Sequence, residues 1–380
     1  MQAFYAAHDE TPAMQASLEI DLRAIVANVQ AIARFVAPAQ FAAVVKANAY
    51  GHGIAEVGRA LDEHVARFCV YEVSEAVTLR EAGVRSPILV MGPIDPGDLD
   101  TAHACDASIT LWDTDAYARR VASVARRRHK PFAVHAKIET GVSRLGLSPA
   151  GAPAALASYV RTPELVLEGA YSHLAAAEEL DSDFTLVQLE RFQNALQGAP
   201  PLLRHIAASA AAMLWPQTRL DFVRIGIALY GLWPSPETQA RVGDTIPLRP
   251  ALRWTTKLVS VRDVAPETSV GYGRTYRTTT NARIGVLPIG YAEGIPRAVS
   301  NRGAVLIDGK RCPIVGRVCM NMTMVDVTGV TNVVPGTTVT LIGRDNDATL
   351  SAEDWADWAG TIDYEIVARL PREVLRVYVR

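Results

Sequence analysis

The sequence contains only four cysteines, and no two of them have the C-x-x-C spacing of a zinc or redox site. Cys69, Cys105, Cys312 and Cys319 each lie among apolar neighbours, which is typical of free thiols in a reducing compartment. The N-terminal residues lack the basic start and the long apolar core of a signal peptide. We therefore expect a cytoplasmic protein with free thiols and no bound metal.

Excess charge of either sign and long hydrophobic runs are also lacking. The formal net charge of the 380 residues is −2 at pH 7, and no stretch approaches the roughly 20 apolar residues of a membrane-spanning helix. One basic cluster, residues 126–130, follows a helical pattern, and we interpret it as the solvated end of that helix. These features exclude nucleic acid and membrane as expected partners and leave a small-molecule substrate.

Short apolar runs alternate with longer amphipathic segments between residues 40 and 230. The apolar runs barely alternate in polarity, as in a parallel sheet covered on both faces. Eight such units predict a (β/α)8 barrel of the TIM type within the α/β class. An open doubly wound sheet is the alternative, but no G-x-G-x-x-G follows the first strand. The predicted strands are 41–47, 68–73, 87–92, 108–112, 131–139, 165–174, 202–209 and 221–231.

Proline and glycine become frequent after residue 231, and alternating strand patterns replace the helical ones. Asp308-Gly309 between two apolar runs predicts a hairpin. We therefore predict a C-terminal, mostly β domain over 245–380. It follows an N-terminal tail over 1–16 and the barrel over 17–244, whose first strand could pair with the β domain.

Cationic side chains collect at the C-terminal ends of the predicted barrel strands, where the reactive groups of such barrels lie. This edge has few carboxylates, so it suits an anionic group better than a metal. Lys46 leaves an apolar strand toward several cations, and such surroundings lower the pKa of a nucleophilic lysine. Pyridoxal 5′-phosphate, bound to Lys46 as a Schiff base, is the cofactor that fits best. Taken singly, each side chain is also consistent with a solvated strand end or a structural role.

Nine motifs, in order over almost the whole chain, resemble those of alanine racemase, a family of fold type III pyridoxal-phosphate enzymes. The motifs are VVKANAYGHG, KIETGVSRLG, YSHLAAAEE, RHIAASAA, VRIGIALYG, VGYGRTY, LPIGYAEG, GRVCMNMTMVDV and IDYEI.

The resemblance implies two catalytic bases on opposite faces of the substrate. Lys46 resembles the lysine that binds the cofactor and serves as the base on the D-face. Tyr272 resembles the base on the L-face, which the partner subunit of a homodimer with shared active sites contributes. Arg224 resembles the arginine that donates to the pyridine nitrogen, and His205 resembles the side chain that supports it.

The resemblance also implies binding roles for residues of both predicted domains. His173 would lie beside the cofactor ring and hydrogen-bond toward Tyr272, and Lys137 matches a lysine that can be carbamylated, which would hold Arg144 in place. The phosphate ligands would be Tyr50, Ser209, Gly226, Ile227 and Tyr364. The groups for the substrate carboxylate would be Arg144 and Met320. The residues at the entrance to the active site would be Glu178, Tyr291, Arg297 and Arg317.

Two positions depart from the family pattern. Ala208 replaces an asparagine, which removes a polar contact near the phosphate, and Asn321 replaces an aspartate near the substrate carboxylate. The expected reaction is the interconversion of L-alanine and D-alanine, which supplies D-alanine for peptidoglycan. The alternatives are a racemase of broader specificity and a non-catalytic pyridoxal-phosphate carrier, although such carriers lack the β domain. A basic amino-acid decarboxylase is disfavoured because it needs an acidic partner for the pyridine nitrogen, where this chain has Arg224.

Overall fold

The computed structural model describes residues 16–112 and 115–379. It divides into two compact units, of which the larger comprises residues 22–251 and the smaller combines residues 16–21 with 252–379. Strand β1 (Ser17–Asp21) therefore belongs to the smaller unit although it comes first in the chain. The predicted tail over 1–16 lies outside the described residues, except for Ala16.

The eight strands of the larger unit are β2 (Gln40–Val44), β3 (Arg67–Val70), β4 (Ile88–Val90), β5 (Ala107–Leu111), β6 (Phe132–Lys137), β7 (Leu165–Tyr171), β8 (Leu203–His205) and β9 (Phe222–Ile225). They pair in parallel in chain order, and β2 also pairs with β9. Backbone hydrogen bonds from Asp221 to Arg204 and from Arg224 to Ala207 bring β8 beside β9. The predicted (β/α)8 barrel is thus confirmed, and the open sheet is wrong.

Amphipathic helices connect these strands. The first of them buries Leu22, Ile25, Val29, Ile32 and Val36 at spacings of three and four residues, so a single apolar face packs inward. The connecting elements are α1 (Leu22–Val36), α2 (Lys46–Tyr50, a left-handed turn), α3 (Ile54–Leu61), α4 (Val73–Glu81), α5 (Leu99–Ala104), α6 (Asp115–Arg128), α7 (Ala152–Val160), α8 (Phe184–Ala195), α9 (Ser209–Leu214) and α10 (Pro236–Val242).

The basic cluster lies at the end of α6, as predicted. Arg127 and Arg128 both pair with Asp100, and Arg126 pairs with Glu164, so these cations are occupied in surface ion pairs. All four cysteines are free. Within the described part of the chain, no helix is both long enough and apolar enough to cross a membrane.

The smaller unit is mostly β, as predicted. Asp308 and Gly309 both have positive φ and join β15 to β16 in the predicted hairpin. The elements are β10 (Leu252–Lys257), β11 (Ser260–Val264), β12 (Ser269–Val270), β13 (Tyr276–Arg277), β14 (Ala282–Leu287), β15 (Ala304–Ile307), β16 (Lys310–Pro313), β17 (Thr323–Asp326), β18 (Thr338–Asp345), β19 (Ala348–Leu350), α11 (Ala352–Ala359), α12 (Asp363–Ala368) and β20 (Leu375–Val379).

The two units divide at residues 21/22 and 251/252, and the first strand pairs within the β unit, an arrangement that the sequence left open. Strand β1 lies between β10 and β20, antiparallel to the first and parallel to the second, so its backbone hydrogen bonds tie it to the smaller unit. Residues 245–251 group with the barrel instead of the β domain. There, Arg249 donates its backbone N–H to Asn28 Oδ1 at 2.8 Å, and Ala251 donates to the Tyr230 carbonyl at 3.0 Å.

Candidate active site

Lys46 lies at the C-terminal end of β2 and begins a left-handed turn. The four residues 47–50 have φ between 52° and 55°, a conformation that costs a non-glycine residue about 1–2 kcal/mol. Local hydrogen bonds offset this cost, since Asn48 Oδ1 accepts from the Ile54 N–H at 3.0 Å and His52 Nδ1 lies 2.9 Å from the Tyr50 carbonyl. The turn places Lys46 and Tyr50 at the same end of the barrel.

Two hydroxyl groups and a glycine meet beside this turn. The Gly226 N–H donates to Ser209 Oγ at 3.1 Å, and a β-carbon on residue 226 would lie only 2.5 Å from the phenol oxygen of Tyr50. Tyr50 and Ser209 are 8% and 4% exposed, and Ile227, which follows Gly226, is fully buried. Hydroxyl and backbone N–H groups that converge in this way fit a phosphate.

Four cations surround the space next to this cluster. Burial and the nearby Arg144 and Arg224 lower the pKa of Lys46, although Glu75 opposes the shift. The same causes lower the pKa of Lys137 to about 8. Each lysine therefore holds its proton less tightly than a solvated lysine does, as a covalent nucleophile or a base must.

Arg224 is 3% exposed, and its acceptors within residues 16–112 and 115–379 are neutral. Its Nη1 donates to His205 Nδ1 at 2.8 Å, and its Nη2 donates to the carbonyls of Ser172 and Ile206 at 2.8 and 3.1 Å. The imidazole Nδ1 of His173 lies 3.4 Å from the same Nη2. Burial and then the charge of Arg224 lower the pKa of His173 to about 3, so this ring stays neutral near pH 7.

Glu139 organises the loop that carries Arg144. Its carboxylate accepts the backbone N–H groups of Gly141, Val142 and Arg144 at 2.5, 2.6 and 3.2 Å. The carboxylate is thus bound to the backbone of this loop rather than to the Arg144 side chain. No role for Glu139 was predicted from the sequence.

The predicted residues of the smaller unit lie mainly on three neighbouring loops, two of which hydrogen-bond to each other. The backbone N–H of Tyr291 donates to Cys319, and that of Ala292 donates to Met320. A β-carbon on Gly273, next to Tyr272, would lie 3.0 Å from Arg317 Nη1. Tyr272 is 72% exposed, and Met320 is 56% exposed. The structure thus groups Tyr272, Tyr291, Arg317, Met320 and Asn321 on one set of loops.

The Asn321 amide donates to Glu293 Oε1 at 2.7 Å, so the asparagine that replaces the family aspartate is held by a carboxylate. Arg297 begins the short turn before Ser300, whose hydroxyl donates to the Arg297 carbonyl at 2.6 Å. Tyr364 lies half-buried in α12, apart from these loops in the sequence.

Two further observations concern acidic and metal-binding groups. Glu178 lies in the larger unit near Glu179 and Glu237, and burial is the main cause that raises its pKa. No group of three or more His, Cys, Asp or Glu side chains is placed to hold a metal within residues 16–112 and 115–379.

Three further polar residues of the barrel, Tyr171, His135 and Glu168, were not predicted from the sequence. The Tyr171 ring stacks on His205 with centroids 4.8 Å apart, and Arg224 Cζ lies 5.1 Å from its centroid. On the side of His205 that faces away from Arg224, His205 contacts His135, and His135 in turn contacts Glu168. The only available signal was a polar residue inside an otherwise apolar strand.

Known proteins resemble the chain over nearly its full length. The family model described as "Alanine racemase, N-terminal domain" matches residues 20–234, and the one described as "Alanine racemase, C-terminal domain" matches residues 251–378. An alanine racemase of Symbiobacterium thermophilum is 40% identical over 95% of this chain and 96% of its own length. An alanine racemase of Geobacillus stearothermophilus is 39% identical, with coverage of 95% and 93%.

Solved structures agree with this result. The crystal structure of alanine racemase from Streptomyces lavendulae, a producer of D-cycloserine, has a TM-score of 0.91 at 34% identity and covers 98% of both chains. The alanine racemase of Streptomyces coelicolor A3(2) has the same TM-score at 35% identity, with coverage of 97% and 98%.

Proposed function

The chain belongs to the alanine racemase family, and we propose that it interconverts L-alanine and D-alanine with pyridoxal 5′-phosphate and two bases. The observation that carries this proposal is the position of Lys46, a half-buried amine whose pKa is lowered by desolvation and by Arg144 and Arg224. Lys46 and Tyr50 both follow strand β2. Tyr50, Ser209 and Gly226 form the anion-binding cluster, in which the Gly226 N–H donates to Ser209 Oγ and the Tyr50 phenol oxygen lies against Gly226.

The side chains of the barrel fit this cofactor by their chemistry. Tyr50, Ser209 and the N–H groups of Gly226 and Ile227 would hold the phosphate, with Tyr364 as a further ligand. Lys46 would form the covalent link to the aldehyde, and His173 would lie beside the ring. When bound, the cofactor supplies an electron-withdrawing ring that stabilises negative charge at the substrate Cα.

Racemisation requires that a proton leave one face of Cα and that another arrive on the opposite face. We assign the D-face to Lys46 and the L-face to Tyr272 of the partner subunit. Ammonium and phenol groups have unperturbed pKa values near 10, so positive surroundings help both of them to act near neutral pH. In the barrel, Arg144 and Arg224 provide such surroundings for Lys46.

Arg224 would donate to the pyridine nitrogen and leave it unprotonated, because a guanidinium does not give up its proton readily. It would thereby limit how far the ring withdraws electrons, which disfavours decarboxylation and transamination. Arg144, whose loop Glu139 holds in place, would bind the substrate carboxylate with the Met320 backbone. Carbamylation of Lys137 would place an anion beside Arg144 and hold it in position.

The proposal extends to the assembly and the role in the cell. It includes a homodimer with shared active sites, a cytoplasmic location and a supply of D-alanine for peptidoglycan. Glu178, Tyr291, Arg297 and Arg317 would line the entrance and exclude large substrates. A racemase of broader specificity is the second candidate, because Asn321 donates its amide to Glu293 where the family has an aspartate.

The experiment uses the purified full-length chain with pyridoxal 5′-phosphate and L-alanine in deuterated water. We expect loss of the α-proton and formation of D-alanine, measured by NMR and chiral chromatography. Borohydride should fix the cofactor on wild type and on Lys130→Ala, a control that removes a surface lysine paired with Asp106. Lys46→Ala should lose both the link and the activity, and a covalent link that persists in this variant would refute the assignment.

A further inference from the structure

A chain of polar groups runs from the buried Arg224, through two buried histidines, to the half-buried carboxylate of Glu168. His205 Nε2 lies 3.0 Å from His135 Nδ1, and His135 Nε2 lies 3.4 Å from Glu168 Oε2. Both imidazoles are fully buried. With the 2.8 Å contact between Arg224 and His205, these distances join four side chains of the neighbouring strands β6, β7, β8 and β9.

The direction of every hydrogen bond in this chain follows from its first member. A guanidinium can only donate, so His205 Nδ1 must accept from Arg224. Burial lowers the pKa of both histidines, so each ring is neutral and carries one proton. The His205 proton is therefore on Nε2 and points to His135 Nδ1. By the same reasoning the His135 proton is on Nε2 and points to Glu168.

The contact between His135 and Glu168 is long for a hydrogen bond. His135 Nε2 has no hydrogen-bond partner of good geometry among the described residues, however, so the carboxylate is the group that its proton faces. Glu168 is held on its other side, because Ser108 Oγ donates to the same Oε2 at 2.7 Å and Arg67 Nη1 donates to it at 3.3 Å. Contacts with His135, Ser108 and Arg67 lower the pKa of Glu168 to about 2, so it is ionised.

The backbone is shaped for this arrangement. The register between β6 and β7 shifts so that Val134 faces Leu167 and His135 faces Gly169, which leaves Glu168 as the extra residue of a bulge. Such bulges re-aim a side chain. A β-carbon on residue 169 would lie 2.5 Å from His135 Nδ1, so the strand leaves room for the imidazole only with glycine at this position. The rings of Tyr171 and Phe222 stack on His205 and fix its plane.

The hydrogen-bonded path to Glu168 also bears on the buried positive charge of Arg224. Among the described residues, no carboxylate forms an ion pair with this buried guanidinium, and its acceptors are neutral. An isolated buried charge is costly. Glu168 is the carboxylate that the hydrogen-bonded path reaches, with two aligned imidazole dipoles between the opposite charges.

We propose that Glu168 is a remote positioning residue, which acts through His135 and His205 to hold Arg224 as an oriented donor toward the pyridine nitrogen of the cofactor. The inference rests on the proposed function for the place of the pyridine nitrogen, and it adds the residues that set the proton positions behind Arg224. Arg224 would contact the ring nitrogen of the cofactor, and Glu168 would affect the orientation and charge of the Arg224 guanidinium.

The direct test is nitrogen NMR of the cofactor-loaded enzyme with 15N-labelled histidine. The chain has eight histidines, and His135→Gln and His205→Gln identify the two signals. In wild type we expect both rings to be neutral with the proton on Nε2. A proton on Nδ1 of either ring would overturn the proposal, and this measurement does not depend on whether any variant at position 168 folds.

The second test replaces the carboxylate with an amide. The amide of Glu168→Gln can donate to His135, so we expect mixed tautomers and a kcat roughly tenfold lower in both directions, with KM changed less than about twofold. Glu168→Asp keeps the charge and should recover most of the kcat. Glu164→Gln is the matched control, because Glu164 pairs with Arg126 at the surface, outside the chain.

The outcomes separate this inference from the proposed function. The positioning role would be refuted if Glu168→Gln had the same histidine tautomers and the same kcat as Glu164→Gln. In that case both variants would still racemise alanine. Absence of cofactor binding in wild type would refute the proposed function, and the same labelled sample would still report the proton positions of His135 and His205.

Discussion

The phenol oxygen of Tyr50 occupies the space that a β-carbon on residue 226 would need, at a separation of 2.5 Å. Tyr50 follows the first strand of the barrel and Gly226 follows the last, and the two strands are paired. The contact therefore lies where the first and last barrel strands pair, within the cluster of Tyr50, Ser209 and Gly226 that we propose binds the phosphate.

Gly226→Ala should weaken cofactor binding, because the added methyl group displaces the Tyr50 hydroxyl. A hydrogen bond to a charged group contributes about 1.5–3 kcal/mol, so we expect the Kd for pyridoxal 5′-phosphate to rise at least about tenfold. Cofactor titration followed by absorbance measures this. Gly97→Ala is the control, since nothing lies within 4 Å of a β-carbon there. Equal affinities in the two variants would rule out the role of the Tyr50 contact.

Tyr272→Phe should abolish exchange of the α-proton of L-alanine but preserve exchange in D-alanine, because Lys46 still serves the D-face. Racemisation should fall by about 10²–10⁴-fold, the usual contribution of a positioned acid or base. Proton NMR in deuterated water, with chiral analysis of the product, separates exchange from inversion. Tyr71→Phe, another exposed tyrosine, should behave as wild type. An equal loss of exchange in both enantiomers would contradict the two-base assignment.

Carbamylation of Lys137 should depend on pH, because only the neutral amine adds carbon dioxide. Its pKa is lowered to about 8, so the neutral fraction rises as the pH increases through 8 and falls below it. We expect a carbamate signal in 13C NMR with labelled bicarbonate that is strong at pH 9 and weak at pH 6. Lys137→Ala should lack this signal and have a higher KM for alanine, whereas Lys130→Ala should retain it. A signal of the same strength in Lys137→Ala would show that the carbamate is elsewhere.

Asn321→Asp should replace the hydrogen bond to Glu293 with two facing carboxylates. We expect a loss of roughly 0.5–1 kcal/mol in the free energy of unfolding. A rise of about twofold in the KM for alanine should accompany it, if the added charge lies near the substrate carboxylate. Asn346→Asp is a matched control, because its amide donates to Asp308 at 3.0 Å away from these loops. Unfolding curves and initial rates would show similar destabilisation in both variants and a KM change in the first alone; a KM change in both would refute the local effect.

The sequence by itself determined the barrel, because the eight apolar runs and their intervening helices are local patterns that each strand and helix must satisfy. It also placed Lys46, His173, His205 and Arg224 at strand ends, since parallel strands bring their C-terminal ends to one edge. The sequence left open whether the first strand pairs with the β domain. Strand β1 is tied to β10 and β20 by hydrogen bonds across long sequence separations, which no local pattern reports.

Only the tertiary structure decided what supports these side chains. The role of Glu139 depends on backbone N–H groups of the loop that follows it, and the register shift that re-aims Glu168 arises from the pairing of β6 with β7. The lowered pKa of Lys46 likewise comes from burial and from cations on other strands. Residue types and their order are written in the chain, whereas burial, hydrogen-bond direction and the sum of nearby charges exist only once distant strands are packed together.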